Sequence, residues 1–289
     1  MITAPGIYSI PADIYHADKL CPTPSLSAGM INQMLTAPAL CRFNSSRLNP
    51  DYVQPEDAGK FTIGSVSHVM FLEPEQAEAS VVIVDADDWR TKDAKAARKD
   101  AADQGKTAIL TGQWEQVLAA RASFVSDPFI AAAFTNGKPE LSMFWQHPSG
   151  IWCRARPDWI PDNGAYLCDY KTTANANPEN FGRHAYNLGY HRRAAWYLDG
   201  YAAINGKEPA HYWFVNQEPK PPFLTSVTEL DMQAIEAGRQ ENERAVRLFA
   251  KCLEADHWPG YSDTRAVRVG LPTYAYMQID GRLAVPEEY

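Results

Sequence analysis

One stretch decides the fold. It runs from Arg154 to Lys171 and reads Arg-Ala-Arg-Pro-Asp-Trp-Ile-Pro-Asp-Asn-Gly-Ala-Tyr-Leu-Cys-Asp-Tyr-Lys. Within it, Asn163-Gly164 separates two apolar runs. Asn-Gly is the strongest short-range signal for a β-hairpin, because both residues of such a two-residue turn must accept a positive φ. Counting equally outward from this turn places Asp158 directly opposite Asp169.

The opposed carboxylates indicate a cation site. Directly opposed residues share a sheet face with Cβ atoms about 5 Å apart, and two carboxylates at that separation repel one another unless a cation lies between them. Strand alternation places Lys171 on the same face as Asp169. A carboxylate pair beside an ammonium group is typical of a divalent-metal phosphodiesterase. The open alternative is a solvated hairpin that carries ordinary surface charges, because Asp162 and Asn163 are common turn residues.

Further segments give this motif a family context. Pro157-Asp158 followed by Asp169-Tyr170-Lys171 resembles the PD-(D/E)XK nuclease superfamily, and more closely its RecE-like phage and prophage exonucleases of the exonuclease VIII type. The similarity extends over about residues 6 to 201. Its other landmarks are Gly6-Ile7-Tyr8, Leu26-Ser27-Ala28, Gly64 to His68 and Tyr190 to Tyr201.

The resemblance implies a fold that the coarse pattern also favours. The expected class is α/β, with a restriction-endonuclease-like core in which a mixed central sheet is flanked by helices. Apolar periodicity predicts a helix over 61–73, strands over 140–146 and 150–160, and the second hairpin strand over 165–171. We expect a single domain over 1–289, with an N-terminal helical elaboration and a tail from about 257 to 289 packed on the core.

The resemblance also implies the metal and its ligands. Mg²⁺, with Mn²⁺ as a substitute, is expected to bind His68, Asp158, Asp169 and the backbone carbonyl of Tyr170, since carboxylates, carbonyls and water suit this hard cation. Lys171 is expected to position and deprotonate the attacking water or to stabilise the charge on the phosphorus centre. If the family resemblance is set aside, the pattern around His68 indicates a core histidine on an apolar helix. The corresponding alternative for Lys171 is a simple salt bridge to Asp158 or Asp169.

Six further residues are candidates for contact with substrate: Arg42, Glu140, Arg154, Arg156, Arg193 and Tyr197. In an unbroken strand, Arg154 and Arg156 share the face of Asp158, where they could hold a phosphate bidentately or pair with carboxylates. Glu140 is either another site carboxylate or a solvated strand start. Arg193 stands where such nucleases usually carry Gln, and an arginine contacts phosphate more strongly than an amide does.

Composition narrows the class of protein. A net charge of −8 limits nonspecific DNA binding but leaves room for a local basic channel. The five cysteines are scattered without a Cys-x-x-Cys pair, which favours reduced thiols and argues against the iron–sulfur branch of the superfamily. No apolar run approaches the roughly 20 residues that span a bilayer, and the first residues lack a secretion signal. We expect a cytoplasmic protein of a bacterial host cell, without a membrane partner.

Together, motif and resemblance predict a Mg²⁺-dependent 5′→3′ double-stranded DNA exonuclease. It would act on duplex ends and generate 3′ single-stranded tails for recombination by strand annealing. The resemblance implies a ring-shaped homo-oligomer, a single-strand annealing recombinase as partner, and a phage or prophage setting. Two alternatives stay open. One is a PD-(D/E)XK nuclease that acts on single-stranded or nicked DNA, and the other is a catalytically inactive DNA-binding scaffold, which Arg193 favours.

Overall fold

The computed structural model describes residues 1–53, 63–262 and 266–283. The predicted helix over 61–73 is observed from Ile63 onward, and its first two residues lie outside the described ranges, as does the end of the predicted tail. The strands are β1 (Gly6–Tyr8), β2 (Ser25–Ser27), β3 (Val81–Val84), β4 (Thr107–Leu110), β5 (Gly137–Pro139), β6 (Ser142–Gln146), β7 (Trp152–Ala155), β8 (Trp159–Pro161), β9 (Tyr166–Thr172), β10 (His211–Gln217) and β11 (Thr225–Thr228).

Helices occupy most of the remaining described chain. They are α1 (Ala12–His16), α2 (Ala28–Thr36), α3 (Pro38–Phe43), α4 (Ile63–Leu72), α5 (Pro74–Ser80), α6 (Lys92–Asp103), α7 (Thr111–Ser126), α8 (Pro128–Ala133), α9 (Pro178–Leu188), α10 (Tyr190–Asn205), α11 (Met232–Ala255) and α12 (Thr273–Leu283). Within the described ranges, no helix is both long enough and apolar enough to cross a membrane.

The central sheet is mixed. Its order is β11-β10-β9-β8-β5, with β9 and β10 parallel and the other neighbours antiparallel. The parallel pair requires a crossover connection, which α9 and α10 provide. A second sheet has the order β1-β6-β7-β2, and β3 pairs with β4. A mixed sheet flanked by helices confirms the predicted fold class.

The hairpin has the predicted register but a different turn. Trp159 pairs with Cys168, as the predicted register requires. The Gly164 N–H donates to the carbonyl of Pro161 at 2.9 Å, so the turn starts one residue earlier than predicted. Of Asn163 and Gly164, only Gly164 has a positive φ, at 62°. Asn163 instead uses its side-chain Oδ1 to accept the N–H of Ala165 at 3.0 Å, which stabilises the turn without left-handed backbone.

The strand predicted over 150–160 is interrupted. Its first half, β7, belongs to the second sheet, and its last residues form β8 in the central sheet. Pro157 lies at the break, where its missing N–H cannot continue a ladder. The prediction that Arg154, Arg156 and Asp158 share one face of a single strand is therefore wrong, because the chain changes sheets between Arg154 and Asp158.

The largest apolar cluster lies under the second sheet and holds α10 in place. Trp145 of β6 packs on Trp196 of α10 with ring centroids 5.0 Å apart. Phe249 of α11 is fully buried in the same cluster. Because α10 is fixed on this side by large aromatic contacts, its N-terminal turn is fixed relative to β9.

The C-terminal tail packs on the core only where it begins. Trp258 contacts Phe249 with ring centroids 5.7 Å apart, and the carbonyl of Pro259 accepts the N–H of Ala39 at 3.0 Å. Farther along, described side chains such as Val269 and Met277 are exposed. The tail thus contacts the core where it begins, whereas residues 266–281 are mostly exposed.

Candidate metal centre

Asp158 joins the two strands of the hairpin. It directly precedes β8 and is buried. Its Oδ2 accepts the backbone N–H of Tyr170 in β9 at 2.6 Å. This bond fixes one oxygen on the neighbouring strand and leaves Oδ1 directed toward His68, whose Nε2 is 3.8 Å away.

Asp169 lies in the centre of β9 and has no exposed side-chain surface. Lys171 Nζ is 2.8 Å from Asp169 Oδ2 and 3.9 Å from Asp158 Oδ2, so the ammonium group lies between the two carboxylates, on the face that strand alternation predicts. The contact with Asp169 has the distance of an ion pair but not the angles of a hydrogen bond. Among the described residues, neither oxygen of Asp169 accepts a hydrogen bond of normal geometry.

Glu140 and His68 complete the site from outside the hairpin. Glu140 follows β5, and its N–H donates to the carbonyl of Asp158 at 3.1 Å. Its φ of +54° is rare for a residue with a side chain, and such strained positions cluster at functional sites. His68 comes from α4, and its Nε2 is 2.8 Å from Glu140 Oε1.

The ligand atoms of this group fit a divalent cation. One atom from each of His68, Glu140 and Asp158 lies within 4.8 Å of the other two. Two carboxylates and an imidazole form a mixed oxygen and nitrogen donor set that Mg²⁺ or Mn²⁺ can accept. Asp169 was predicted as a ligand but is not a member of this cluster. Its two buried oxygens accept no hydrogen bond from the described residues, and Lys171 links Asp169 to the cluster.

The two hairpin carboxylates have different electrostatic environments. Burial, and then the charge of Asp169, raises the pKa of Asp158 to about 7. Burial also opposes ionisation of Asp169, but the charges of Lys171 and Arg193 outweigh it and lower the pKa of Asp169. In the absence of a cation, Asp169 therefore holds the negative charge more firmly than Asp158 does.

Glu140 and His68 stabilise one another's charged forms. Burial lowers the pKa of His68, but the hydrogen bond to Glu140 and the charge of Asp158 outweigh burial, so the net pKa is raised. Burial raises the pKa of Glu140, yet hydrogen bonds to His68 and Arg156 dominate and lower it. A metal ion that binds His68 must displace a proton from it, since only the neutral imidazole is a ligand.

Tyr170 directs its side chain away from the site. The ring packs on Phe71 of α4 with centroids 4.4 Å apart, and Oη donates to Gln217 Oε1 at 2.9 Å. Its backbone carbonyl faces the site and accepts a hydrogen bond from Lys171 Nζ at 3.2 Å. The carbonyl is near the cluster, and its role as a metal ligand stays a prediction.

The two arginines before the hairpin have separate partners. Arg156 Nε contacts Glu140 Oε2 at 2.5 Å, so Arg156 borders the cluster. Arg154 is buried, pairs with Asp18 and donates to the carbonyl of Ser25 at 2.8 Å. The sequence predicted that Arg154 and Arg156 could together hold one phosphate beside Asp158. The structure does not show this arrangement, because the carboxylate partners of the two guanidinium groups lie on different elements.

Arg193 reaches the site from the first turn of α10. The preceding helix ends at Gly189, whose φ of +70° is accessible to glycine and lets α10 start at once in a new direction. Arg193 Nη1 then lies 3.5 Å from Asp169 Oδ2. Tyr197, one turn later, is buried and packs on Tyr212. Arg42 is exposed on α3.

Glu140 is the residue whose importance the sequence understates. Its backbone conformation and its pairing with His68 depend on contacts distant in sequence, which no apolar period records. The available signal was the turn-like Lys138-Pro139-Glu140 before a β-rich run. The structure favours the interpretation of Glu140 as a site carboxylate over that of a solvated strand start, since its side chain contacts both His68 and Arg156.

Comparison with known proteins agrees with this architecture. A protein-family model described as "PDDEXK-like domain of unknown function (DUF3799)" matches residues 30–267. No curated protein sequence matches the chain with significance. A candidate exonuclease from Eubacterium rectale aligns over 93% of this chain and 98% of its own, with a TM-score of 0.59 and 10% identity, which is a similarity of fold.

A second solved structure is more distant. An alkaline exonuclease from Laribacter hongkongensis covers 68% of this chain and 92% of its own at 16% identity, but a TM-score of 0.28 is too low to support an argument. The RecE-like type within the superfamily stays a prediction. The family match spans most of the chain and includes every residue of the candidate metal centre. The chain therefore belongs to the PDDEXK-like domain family DUF3799.

Proposed function

We propose that this protein is a Mg²⁺-dependent exonuclease that digests double-stranded DNA from 5′ ends, with Mn²⁺ as a substitute ion. One observation carries the proposal: His68, Glu140 and Asp158 converge within 4.8 Å beside the ion pair of Lys171 and Asp169. Buried carboxylates that face a common point with a lysine are the groups that metal-assisted phosphodiester hydrolysis requires. The fold shared with the Eubacterium rectale candidate exonuclease supports the same class of reaction.

The residues of the site suit hydrolysis of a phosphodiester. A bound divalent cation would supply Lewis acidity toward the phosphate. Lys171 Nζ is held by the carbonyl of Tyr170 at 3.2 Å and by Asp169 at 2.8 Å, which fixes this ammonium group where it can orient a water molecule and stabilise the negative charge that develops on the phosphate. The water oxygen forms a bond to phosphorus and gives up a proton to solvent, the bond from phosphorus to the 3′ oxygen breaks, that oxygen takes up a proton from solvent, and a 5′-phosphorylated nucleotide leaves.

A polar cavity supports binding of a 5′ end. Its volume is about 800 Å³, and it is lined by His16, Lys19, Ser27 and Arg154, with Asp13 as its acidic member. Ser27 caps the N-terminus of α2, where backbone N–H groups favour anions. Lys19 makes no ion pair with any residue that the structure describes.

The cavity and the metal centre are linked by two arginines, Arg154 and Arg156, which both lie against the ring of Tyr15. The guanidinium carbon of Arg154 is 5.5 Å from the ring centroid of Tyr15, and that of Arg156 is 5.7 Å from the same ring. Arg156 in turn contacts Glu140. A 5′-terminal phosphate in the cavity would therefore lie on the side of the metal centre that Arg156 borders. We propose that this arrangement directs digestion from the 5′ end.

Assembly and partners are part of the same proposal. A ring-shaped homo-oligomer would enclose the duplex end, and a single-strand annealing recombinase would receive the 3′ tail in the cytoplasm of a bacterial host during phage or prophage recombination. The support for these features is the resemblance to RecE-like exonucleases. The net charge of −8 is compatible with DNA held in one local channel.

Two alternatives have support of their own. A PD-(D/E)XK nuclease for single-stranded or nicked DNA would use the same metal centre, so substrate comparison separates it from the proposal. A catalytically inactive DNA-binding scaffold is favoured by Arg193, since its guanidinium partly neutralises Asp169. Against the scaffold stands the chemistry of the centre itself, which keeps the two buried carboxylates of Asp158 and Asp169 in place at an electrostatic cost.

Digestion of end-labelled linear duplex tests the proposal. Wild type, Asp169→Ala and Lys171→Ala are incubated with Mg²⁺ or EDTA on substrates with a 5′-phosphate, a 5′-hydroxyl, a nick or no second strand. Mg²⁺-dependent release of mononucleotides from phosphorylated 5′ ends, lost in both variants, is expected. Preference for single strands or nicks would favour the first alternative. Binding of duplex without hydrolysis by folded wild type would favour the scaffold.

A further inference from the structure

Asp169 already has two cationic partners. Lys171 Nζ is 2.8 Å and Arg193 Nη1 is 3.5 Å from the same oxygen, Asp169 Oδ2. The carboxylate is fully buried, whereas about one third of the Arg193 side chain is exposed. The guanidinium thus approaches Asp169 Oδ2 from α10, and a metal ion that bound this oxygen would have to displace Arg193 or Lys171 from it.

The charges of the ion-pair network balance without a metal. Three carboxylates, those of Glu140, Asp158 and Asp169, are linked to the side chains of Arg156, Lys171 and Arg193. With neutral His68, these described side chains together carry no net charge. One divalent cation makes it doubly positive, and a second would double that charge at a separation of about 3.5–4 Å, the usual spacing of two-metal sites. Burial makes this repulsion stronger than in water.

We infer that Arg193 restricts this centre to a single divalent cation, held by His68, Glu140 and Asp158, and supplies the positive charge that a second cation would bring. The inference rests on the proposed metal centre, and it replaces the second cation of two-metal phosphodiesterase sites with an arginine. A guanidinium can face a phosphate bidentately, so Arg193 is suited to contact the scissile phosphate from the side of Asp169.

Mn²⁺ binding tests this inference without any measurement of nuclease activity. Mn²⁺ is titrated at pH 8 into wild type, Arg193→Gln, Arg193→Lys and Arg192→Gln by calorimetry, and electron paramagnetic resonance detects spin coupling between neighbouring ions. Arg192 is the matched control, because it precedes Arg193 on the same helix but pairs with Glu241 at 2.6 Å and Asn32 at 2.7 Å. Thermal melting verifies that each variant is folded.

One uncoupled ion is expected in wild type, Arg193→Lys and Arg192→Gln. Arg193→Gln should bind a second ion at least tenfold more tightly than wild type does and show the coupled spectrum. Two coupled ions in wild type, or one ion in folded Arg193→Gln, would overturn the inference. If Arg193→Gln does not fold, Asp169→Asn decides: retention of one ion supports the inference, and its loss overturns it. Failure of wild type to bind any Mn²⁺ would instead remove the proposed metal centre.

Discussion

His68 Nε2 lies 2.8 Å from Glu140 Oε1, although 72 residues separate them in sequence. The contact joins α4 to the segment after β5 and aims both side chains at Asp158. Glu140 also accepts a hydrogen bond from Arg156 Nε, so one carboxylate orients the imidazole of His68 and an arginine at the same time. Glu140 is therefore the residue on which the geometry of the centre depends most.

We predict that Glu140→Gln weakens divalent-metal binding at least tenfold while the protein stays folded. The amide keeps the shape of the side chain but removes a charge that the cation needs, and it holds His68 less firmly. Calorimetric titration with Mn²⁺ measures the loss. Glu243→Gln is the matched control, because Glu243 Oε2 is 2.9 Å from His147 Nε2 in a second histidine–glutamate pair outside the centre. Equal affinity in the two variants would exclude Glu140 as a ligand.

How far the sequence predicts this site depends on how local each contact is. The pairing of Trp159 with Cys168 follows from an alternating pattern around a turn signal, so the register was predictable although the turn itself is different. The proximity of Asp158 to Lys171 follows from the same hairpin. These residues are close in sequence, and the strand period alone determines their faces.

The remaining contacts could not be predicted from local patterns. The break at Pro157 sends Arg154 into the second sheet, where it pairs with Asp18, a residue far upstream. Glu140 reaches His68 only through a left-handed backbone conformation that no periodicity encodes. Only the resemblance to a nuclease family identified His68 before the structure did, and it did not identify its partner.

Lys171→Met should separate metal binding from catalysis. Methionine fills a similar volume but cannot orient water or stabilise negative charge on the phosphate, so we expect a loss of about 10²–10³-fold in DNA cleavage. Mn²⁺ affinity should be equal or higher, because a cation next to Asp158 and Asp169 has been removed. Cleavage of labelled duplex and Mn²⁺ titration are measured on the same preparation. Exposed Lys138 provides the control substitution to Met, and a comparable loss of cleavage there would argue against a specific role.

Asp158 should make the metal-free protein less stable as pH rises. Its pKa is raised by burial and by Asp169 from 3.8 to about 7. Between these two values the folded state holds a proton that the unfolded state has lost, so the free energy of unfolding decreases with increasing pH through this window. Asp158→Asn removes the titration, and we expect it to stabilise the metal-free protein on the order of 3 kcal/mol at pH 8, with the gain vanishing toward pH 4.

Urea unfolding in EDTA between pH 4 and 8 measures this effect. Asp162→Asn, in the exposed turn of the same hairpin, is the control and should not change the pH dependence. Mg²⁺ should stabilise wild type more at pH 8 than at pH 6, because at pH 6 the cation must compete with protons on both Asp158 and His68. A gain from Asp158→Asn that is equal at pH 4 and pH 8 would contradict the assignment of the buried carboxylate.

Gly238→Ala tests whether close packing of α11 on α10 positions the site. A Cβ atom at Gly238 would lie inside contact distance of the backbone carbonyl of His191, two residues before Arg193. Alanine normally stabilises a helix relative to glycine by about 1 kcal/mol, but here the clash is with rigid backbone, so we expect destabilisation of about 1–3 kcal/mol. Gly182→Ala in α9 is the control, because a Cβ there meets open space and should stabilise the protein. Urea unfolding of both variants gives the sign of the change in the free energy of unfolding. A stabilising Gly238→Ala would show that α10 can shift at no cost in stability.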